Sequence, residues 1–397
     1  MTDTREFDVI VYGASGFTGQ LVAEYLNERY GVDGELRWAL AGRNEEKIRA
    51  VMAESGLPPA LTVIAADSGD AAALRAMAER TKVVLTAVGP YQLYGSELVA
   101  ACVSTGTDYV DLCGEPNWMR EMIDQHSDAA RESGARIVFS CGFDSIPFDL
   151  GVFFLQQIAR EKFGAPVSQV KGRVRAMQGH ASGGTVASMK ATMMAAAKDP
   201  SVGALLKDPY CLAPGAEKAP QPNSFKPTYD EDLGSWAAPF IMATINMPNV
   251  HRSNALLDNV YGADFSYSEM LLTGPGEKGE QTAMAMAKAG LNTGDKEPQP
   301  GEGPSREEQE AGFYDVVFRG YTADGDSVTA SVAGDRDPGY GSTSRMIAES
   351  AVTLALGAIA TPGGIWTPAA AMGDALMKRL ADNAGLVFKD ETCAELR

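Results

Sequence analysis

The stretch Asp8–Gly19, DVIVYGASGFTG, decides how the rest of the chain is organised. A short apolar run leads to three glycines, Gly13, Gly16 and Gly19, and the residues that follow, QLVAEYLNERYG, have the periodicity of an amphipathic helix. A strand, a glycine turn and a helix in this order can bind a nucleotide phosphate, because the N–H groups of the first helical turn lack partners. The stretch therefore predicts a nucleotide-binding turn.

Six apolar runs, each followed by a helical pattern, occupy the first part of the chain. Strands that are apolar along their whole length are buried on both faces, and helices between them make neighbouring strands parallel. We therefore predict an α/β fold with an N-terminal Rossmann-type, doubly wound parallel sheet. The predicted strands are 8–14, 37–43, 61–67, 82–90, 108–115 and 135–143.

Beyond residue 150 the alternation stops, and we predict a second unit of the α+β class. Its clearest element is a hairpin at 313–334, because the residues alternate on both sides of Asp324-Gly325. The other expected elements are strands at 167–178 and 261–274, a glycine-rich turn at 179–185, a methionine-rich helix at 185–199, a proline-rich loop at 208–230 and a polar connection at 297–310.

These patterns divide the chain into three segments. Residues 1–165 form the predicted dinucleotide-binding domain. Residues 166–340 form a domain for the substrate and, in a homodimer, for the contact between subunits. Residues 341–397 are expected to be helices that pack back on the first domain.

The composition excludes some functions. A net charge of −18 argues against nucleic-acid binding, which needs a basic face. The longest apolar stretch, 348–360, is too short for a transmembrane helix, and the N-terminus lacks the pattern of a secretory signal. The five cysteines and three histidines have no metal-site spacing, so no metal is expected. We predict a cytoplasmic protein, and leave peripheral contact with a membrane open.

The end of the second strand selects the nucleotide. NAD enzymes place a carboxylate there for the ribose 2′-hydroxyl, whereas this strand is followed by Arg43 and Asn44, with Lys47 one turn further. Arginine can bind a 2′-phosphate with two parallel hydrogen bonds. We therefore expect NADPH rather than NADH, with Asp67, at the end of the third strand, near the adenine.

Three later strand ends supply candidates for chemistry, because they meet the first turn at the same sheet edge. The segments AVGPYQLYG (87–95), DLCGE (111–115) and SCGFDSIPFD (140–149) carry Tyr91, Tyr94 and Asp144, our candidates for a catalytic acid. Packing of the loop by the tyrosines and capping of the next helix by Asp144 are the structural alternatives. No tyrosine is followed four residues later by lysine, unlike in short-chain dehydrogenases, and no GxSxG is present.

Four segments together resemble the saccharopine dehydrogenase-like oxidoreductases, in particular the bacterial branch with trans-acting enoyl reductases of lipid biosynthesis. They are VYGASGFTGQLVAEYL, LAGRNEEKI, VVLTAVGPYQLYGSELVAACVSTGTDYVDLCGE and SCGFDSIPFDLG. The resemblance is close over about residues 7–152 and weaker at 182–185 and 363–376. Where the family usually has threonine in DLTGE, this chain has Cys113.

The resemblance implies an NADP-binding Rossmann domain, an α+β substrate domain and C-terminal helices that return to the first domain. It also implies which residues bind the cofactor, by position in this chain. The pyrophosphate would lie on Gly13, Ala14, Ser15, Gly16, Phe17, Thr18 and Gly19, the 2′-phosphate on Arg43 with Asn44, and the nicotinamide against Val88, Gly89, Pro90, Tyr91, Cys113, Gly114 and Glu115.

Three functions follow as hypotheses. The first is an NADPH-dependent reductase of an enoyl, acyl or other lipid-like substrate, whose chain the methionine-rich helix would suit. The second is a saccharopine-type amino-acid dehydrogenase, for which Arg173 and Arg175 would bind substrate carboxylates. The third is a non-catalytic NADP-binding protein associated with lipid, since the sequence lacks a recognisable acid–base pair.

Overall fold

The computed structural model describes residues 5–179, 183–289 and 302–392, and their strands form two seven-stranded sheets. The strands are β1 (Phe7–Tyr12), β2 (Trp38–Gly42), β3 (Val63–Ala65), β4 (Thr81–Thr86), β5 (Asp108–Val110), β6 (Arg136–Val138), β7 (Gln169–Gln178), β8 (Thr228–Asp230), β9 (Ser235–Pro239), β10 (Ser266–Gly274), β11 (Phe313–Tyr321), β12 (Ser327–Gly334), β13 (Gly364–Trp366) and β14 (Leu386–Asp390).

Helices cover the sheets, and a π-helical turn at Pro338–Ser342 precedes one of them. The helices are α1 (Phe17–Tyr30), α2 (Glu45–Glu54), α3 (Ala71–Ala78), α4 (Tyr91–Tyr94), α5 (Ser96–Thr105), α6 (Pro116–Ser133), α7 (Ile146–Phe163), α8 (Gly183–Lys198), α9 (Pro200–Leu205), α10 (Ala243–Leu256), α11 (Gly276–Ala289), α12 (Arg306–Ala311), α13 (Thr343–Leu356) and α14 (Pro368–Asn383).

The first sheet is parallel, with strand order β13-β6-β5-β4-β1-β2-β3. All six residues of β1 and all five of β2 are buried, as expected for central strands with helices on both faces. The six predicted strands are β1 to β6, so the α/β class and the Rossmann-type sheet are confirmed. The edge strand β13 was not predicted, because three residues show no periodicity and its pairing with β6 is a long-range contact.

The second sheet is mixed, with order β14-β12-β11-β7-β10-β9-β8. Only β7 and β10 pair in parallel, and the predicted hairpin β11–β12 is present, with Gly325 at φ +94° in its turn. The α+β character of this unit is therefore confirmed.

Several local predictions in this unit need correction. The predicted turn at 179–185 gives way to α8, which already begins at Gly183; residues 180–182 lie outside the described parts. The loop at 208–230 ends in the edge strand β8, which forms only by pairing with β9. Of the connection at 297–310, residues 297–301 are not described, and α12 begins after a capping box in which Ser305 and Glu308 satisfy each other's backbone N–H groups.

The C-terminal segment contributes to both sheets. Helix α13 packs against α1 and the strands of the first sheet, whereas β14 pairs with β12 of the second. The apolar stretch 348–360 lies mostly in α13, which is buried over most of its length. Among the helices of the described ranges, none is long and apolar enough to cross a bilayer.

A buried carboxylate joins α13 to α1 and α14. The side chain of Glu349 is fully buried and accepts hydrogen bonds from the hydroxyls of Tyr25 (2.7 Å) and Tyr30 (2.6 Å), from Arg379 (3.3 Å) and from Asn383 Nδ2 (3.2 Å). A buried charge is tolerated only when its hydrogen bonds are satisfied. This one group therefore holds the C-terminal helices on the nucleotide-binding half.

We expect Glu349→Ala to lower the free energy of unfolding by about 3 kcal/mol, because it leaves several polar groups without their acceptor. Chemical denaturation followed by circular dichroism measures the change. The matched control on α14 is Lys378→Ala, which removes an exposed i,i+4 pair with Asp382 and should cost about 0.5 kcal/mol or less. Equal losses for both variants would contradict a structural role for Glu349.

Candidate cofactor and substrate site

The loops that follow β1, β2, β4, β5 and β6 meet at the carboxyl edge of the first sheet. This is the edge at which open α/β sheets bind ligands. All the predicted cofactor residues except Asp67, which follows β3, lie on these loops or at the start of the helices after them.

The turn after β1 leaves no room for a side chain at Gly13 or at Gly19. Gly13 has a φ of +92°, and a Cβ atom there would lie 2.6 Å from Val88 Cγ2; a Cβ atom on Gly19 would lie 2.3 Å from the Gly13 carbonyl oxygen. The N-cap of α1 is the exposed Gly16, and no side chain caps the helix. The first N–H groups of α1 are thus open to an anion, as in phosphate-binding turns.

The other residues of this turn have different positions. Ala14 is buried, Ser15 and Thr18 are partly exposed, and the ring of Phe17 packs edge-on against Tyr340, with the ring centroids 5.2 Å apart. Phe17 therefore connects the turn to the π-helical segment before α13.

Arg43 lies exposed after β2, and in the described parts of the chain its guanidinium has neither a hydrogen bond nor an ion pair. Asn44 caps α2, since its Oδ1 accepts from the Lys47 N–H at 2.8 Å. Asp67 is exposed and accepts from the Gly69 N–H at 2.9 Å. An exposed guanidinium without a partner in the described ranges thus lies where a 2′-phosphate is expected.

Glu115 joins the loop after β5 to the loop after β4. Its buried carboxylate accepts from the backbone N–H of Tyr91 (2.8 Å) and from both the backbone N–H (2.9 Å) and the side-chain amide (2.9 Å) of Gln92. These N–H groups begin α4, where a negative charge is stabilised. The carboxylate thus supports the loop Val88–Pro90 from the protein interior, and its predicted contact with the cofactor stays a prediction.

Tyr91 and Cys113 also turn inward. The Tyr91 hydroxyl accepts from the Leu112 N–H (3.0 Å) and donates to the Thr86 carbonyl (3.3 Å), and burial raises its pKa well above the usual value. The Cys113 side chain is fully buried, and burial likewise raises the pKa of its thiol. Both side chains are buried, which for Tyr91 agrees with the packing alternative.

Asp111, which was not singled out from the sequence, ties the loop after β6 to that after β5. Its buried carboxylate accepts from the N–H groups of Cys113 (2.9 Å) and Ser140 (2.9 Å) and from the Tyr109 hydroxyl (2.9 Å). Ser140, at φ +59°, donates its hydroxyl to the Cys113 carbonyl at 2.6 Å. An aspartate at the end of an apolar strand was the available sign of this role.

Asp144 has the features of a proton donor. It is half-buried, and its Oδ2 lies 3.7 Å from where a Cβ atom of Gly114 would be. It makes no hydrogen bond within the described ranges, and the following helix is capped at Ser145 without a side-chain bond, so the capping alternative is not what the structure shows. Burial raises the pKa of Asp144 to about 7.

Tyr94 differs from the other candidates. It is 45% exposed at the end of α4, beside Leu93, which is 63% exposed. Both residues form an exposed apolar surface beside the loop that follows β4.

The second unit reaches this edge through α8 and α10. Ser188 Oγ of α8 lies 3.4 Å from the Cβ position of Gly89, and Thr192 of α8 accepts from the Gln92 side chain at 3.3 Å. Ile245 Cδ1 of α10 lies 3.0 Å from the Cβ position of Gly114. Sequence reasoning missed these three residues because only tertiary contacts bring their helices here.

A buried acid lies behind α10. Glu269 of β10 accepts from Asn246 Nδ2 (2.7 Å) and from the Tyr267 hydroxyl (2.8 Å). Burial, with a contribution from the charge of Asp144, raises the pKa of Glu269 to about 8. Two carboxyl groups with raised pKa values thus lie near each other, Asp144 at the edge and Glu269 behind α10.

The residues present therefore fit a dinucleotide with an additional phosphate. The open N-terminus of α1 can hold a pyrophosphate, and Arg43 a phosphate on the adenosine ribose. Gly89 is exposed and Gly114 half-buried, and without side chains they allow a flat ring to approach. In the parts of the chain that are described, no three His, Cys, Asp or Glu side chains are grouped to hold a metal ion.

Glu115→Gln should loosen this loop, because an amide presents an N–H₂ group to N–H donors that now bind a carboxylate oxygen. We expect the free energy of unfolding to fall by about 1–3 kcal/mol. We also expect faster amide exchange at Tyr91 and Gln92 and weaker binding of the dinucleotide. Hydrogen–deuterium exchange with mass spectrometry measures the local effect. Glu121→Gln, in α6, is the control; unchanged exchange at α4 in Glu115→Gln would contradict the clamp.

Comparison with known proteins agrees with this geometry. Residues 9–138 match the family model "Saccharopine dehydrogenase NADP binding domain". The chain is 40% identical to "Trans-acting enoyl reductase" of Mycobacterium tuberculosis (strain ATCC 25618 / H37Rv), over 97% of both chains. It is 42% identical, over 96% of this chain and 97% of the relative, to a second protein of that strain, which is provisionally named as a trans-acting enoyl reductase too.

Among solved structures, the apo saccharopine dehydrogenase (L-Glu forming) of Saccharomyces cerevisiae superposes with a TM-score of 0.49 at 14% identity, covering 97% of this chain and 99% of that one. The full-length similarity to the mycobacterial proteins is what shows the family. The chain belongs to the saccharopine dehydrogenase-like NADP-binding oxidoreductases, in the group whose relatives are named trans-acting enoyl reductases.

Proposed function

We propose that this protein is an NADPH-dependent reductase that adds hydrogen across the carbon–carbon double bond of an enoyl thioester or a related acyl substrate. The observation that carries the proposal is Asp144, a half-buried carboxyl group without a partner in the described ranges, next to Gly114 at the expected nicotinamide position. The full-length relatives named enoyl reductase support the substrate class.

NADPH is favoured over NADH by the residues after β2. Arg43 offers an exposed guanidinium, and no carboxylate at this position accepts the ribose hydroxyl, since the neighbouring Asn44 caps α2. A guanidinium binds a phosphate through two parallel hydrogen bonds and gains little from an uncharged ribose.

When bound, NADPH supplies a hydride. The chain's own residues then have separate tasks: the first turn of α1 binds the pyrophosphate, and the Glu115 clamp fixes the loop against which the ring lies. Hydride addition at the carbon β to the carbonyl leaves negative charge on the α carbon and carbonyl oxygen. Asp144 gives its carboxyl proton to the α carbon and becomes a carboxylate, which completes the reduction.

The apolar part of the substrate fits the rim of this edge. Leu93 and Tyr94 of α4 are exposed there, and Met193 and Met194 of α8 are 54% and 72% exposed. Methionine side chains adapt to flexible apolar ligands. An acyl chain that extends from the reacting carbons and passes between α4 and α8 would cover these four side chains.

The amino-acid dehydrogenase alternative loses its main support. Arg173 pairs with Asp230 at 2.8 Å, and Arg175 pairs with both Asp315 (2.8 Å) and Glu391 (2.9 Å). Both arginines are already neutralised, so they offer no site for substrate carboxylates.

Stopped-flow oxidation of NADPH with enoyl thioesters of several chain lengths tests the proposal. We expect turnover that increases with chain length and none with saccharopine or its precursors. Binding of NADPH without turnover of any enoyl substrate would instead favour a non-catalytic NADP-binding protein.

Asp144→Asn should lower the rate of reduction by about 10²–10⁴-fold, because the amide cannot donate the proton, while NADPH binding is retained. The protonated form of Asp144 is the donor, so in the unmodified protein the rate should fall as the pH rises through about 7. Steady-state pH profiles measure both effects. Asp326→Asn, in the exposed β11–β12 turn, is the control; a pH profile that persists in Asp144→Asn would exclude this donor.

Arg43→Ala should weaken NADPH binding by about 10–100-fold through the loss of charged hydrogen bonds to the 2′-phosphate, and should leave NADH binding unchanged. Fluorescence titration of the reduced dinucleotides measures both constants. Arg49→Ala removes an exposed arginine that pairs with Glu45 on α2 and should change neither. Equal losses for NADPH and NADH would contradict recognition of the phosphate by Arg43.

A further inference from the structure

A cavity of about 390 Å³ lies on the second sheet, away from the cofactor edge. Its walls are side chains of β7, β8 and β10 with Tyr321 of β11 and the segment at Pro222–Asn223. We call it the sheet-face pocket, defined by Lys171, Arg173, Tyr229, Asp230, Ser266 and Ser268.

The pocket lies on one face of the second sheet, and helix α10, which reaches the cofactor edge, packs on the opposite face. Side chains alternate along a strand, so Ser268 faces the pocket while its neighbour Glu269 faces α10 and Asn246. Lys171 and Arg173 are on the pocket face of β7, whereas Gly172 between them packs on Tyr267. The pocket is therefore a second site, separate from the one proposed for reduction.

Buried charges line the pocket. Arg173 is 4% exposed and Asp230 3% exposed, and Arg173 Nε pairs with Asp230 Oδ2 at 2.8 Å. Nη1 of Arg173 donates to the Gly172 carbonyl (2.8 Å) and to the carbonyl and hydroxyl of Ser268 (3.0 and 3.2 Å). The arginine is therefore held rigidly, as in a preformed binding site.

Asp230 Oδ1 takes no part in these hydrogen bonds. It is buried and has no hydrogen-bond partner within the described ranges; Lys171 Nζ lies 3.8 Å away and is bound to Asp232. Buried oxygens almost always receive a hydrogen bond. The cavity is larger than one or two waters need, so a ligand that brings an N–H or O–H group fits better.

The charges define the class of ligand. Lys171 and Arg173 are balanced by Asp230 and Asp232, so a net charge on the ligand would be left without compensation. Hydroxyl groups both donate and accept, which matches Asp230 Oδ1 together with the hydroxyls of Ser266 and Ser268. The ring of Tyr229, 39% exposed at the pocket, offers an apolar surface to C–H groups.

We propose that the sheet-face pocket binds a small uncharged polyhydroxylated molecule, of the size of a monosaccharide or a cyclitol. The carboxylate of Asp230 accepts from one hydroxyl, the two serines exchange hydrogen bonds with others, and the ring of Tyr229 covers the apolar face of the molecule. This site does not depend on the function proposed for the cofactor edge.

Saturation-transfer NMR and calorimetry with glucose, myo-inositol and glycerol test the proposal on the full chain, with glucose 6-phosphate and glucosamine as charged analogues. We expect the ring polyols to bind and the charged analogues to bind at least about tenfold more weakly. Equal binding of the charged analogues, or no binding of any ring polyol, would overturn the proposal.

Thr228→Trp places a large ring at the exposed edge strand β8 and should block the pocket, weakening polyol binding about tenfold or more. The matched control is Val387→Trp on β14, the opposite edge of the same sheet, where Val387 is 56% exposed. Thr228→Trp is used rather than Asp230→Asn, which leaves Arg173 buried without its anion and endangers folding.

Neither tryptophan variant touches the cofactor edge, so NADPH affinity should be unchanged in both. Sedimentation velocity of both variants checks whether either substitution changes the oligomeric state. If Thr228→Trp leaves polyol binding intact, the pocket is not the site proposed.

Discussion

The carboxylate of Glu115 is the interaction on which the cofactor edge depends. A charge taken out of water must be replaced by hydrogen bonds, and here the replacements are N–H groups at the start of α4. The loops after β4 and β5 are therefore held together by a buried carboxylate. Tyr91 makes the reverse connection, through its hydroxyl, to Leu112.

Support of this kind continues to β6. Asp111 holds the loop after that strand, and Asn249 of α10 donates to the hydroxyls of Ser140 (3.3 Å) and Ser145 (2.9 Å). Each polar group in this buried layer positions a neighbouring loop. Asp144 differs because it has no such partner in the described ranges, which leaves its carboxyl group available for chemistry.

The two sheets are joined by segments distant in sequence. Helix α13 covers the first sheet, β13 extends it, and β14 ends the second, so the last part of the chain belongs to both. Glu349 concentrates this connection in one buried carboxylate. Helices α8 and α10 then bring Ser188, Thr192 and Ile245 from the second unit to the nucleotide-binding loops.

The amino-acid sequence by itself determined the nucleotide-binding half. A glycine turn, apolar strands and an arginine after the second strand are local patterns. They therefore predict the phosphate-binding turn, the Rossmann-type sheet and Arg43 as the residue that binds a 2′-phosphate. The hairpin β11–β12 is equally local, since two turn residues specify it.

Only the tertiary structure decided the roles of side chains at the later strand ends. Whether Glu115, Tyr91, Cys113 or Asp144 faces inward or outward depends on hydrogen-bond partners elsewhere in the chain, which no local pattern contains. The same holds for short strands such as β8 and β13, whose backbone bonds are made only with another strand. Local periodicity determines where an element forms, whereas long-range pairing determines which of its side chains remain free to act.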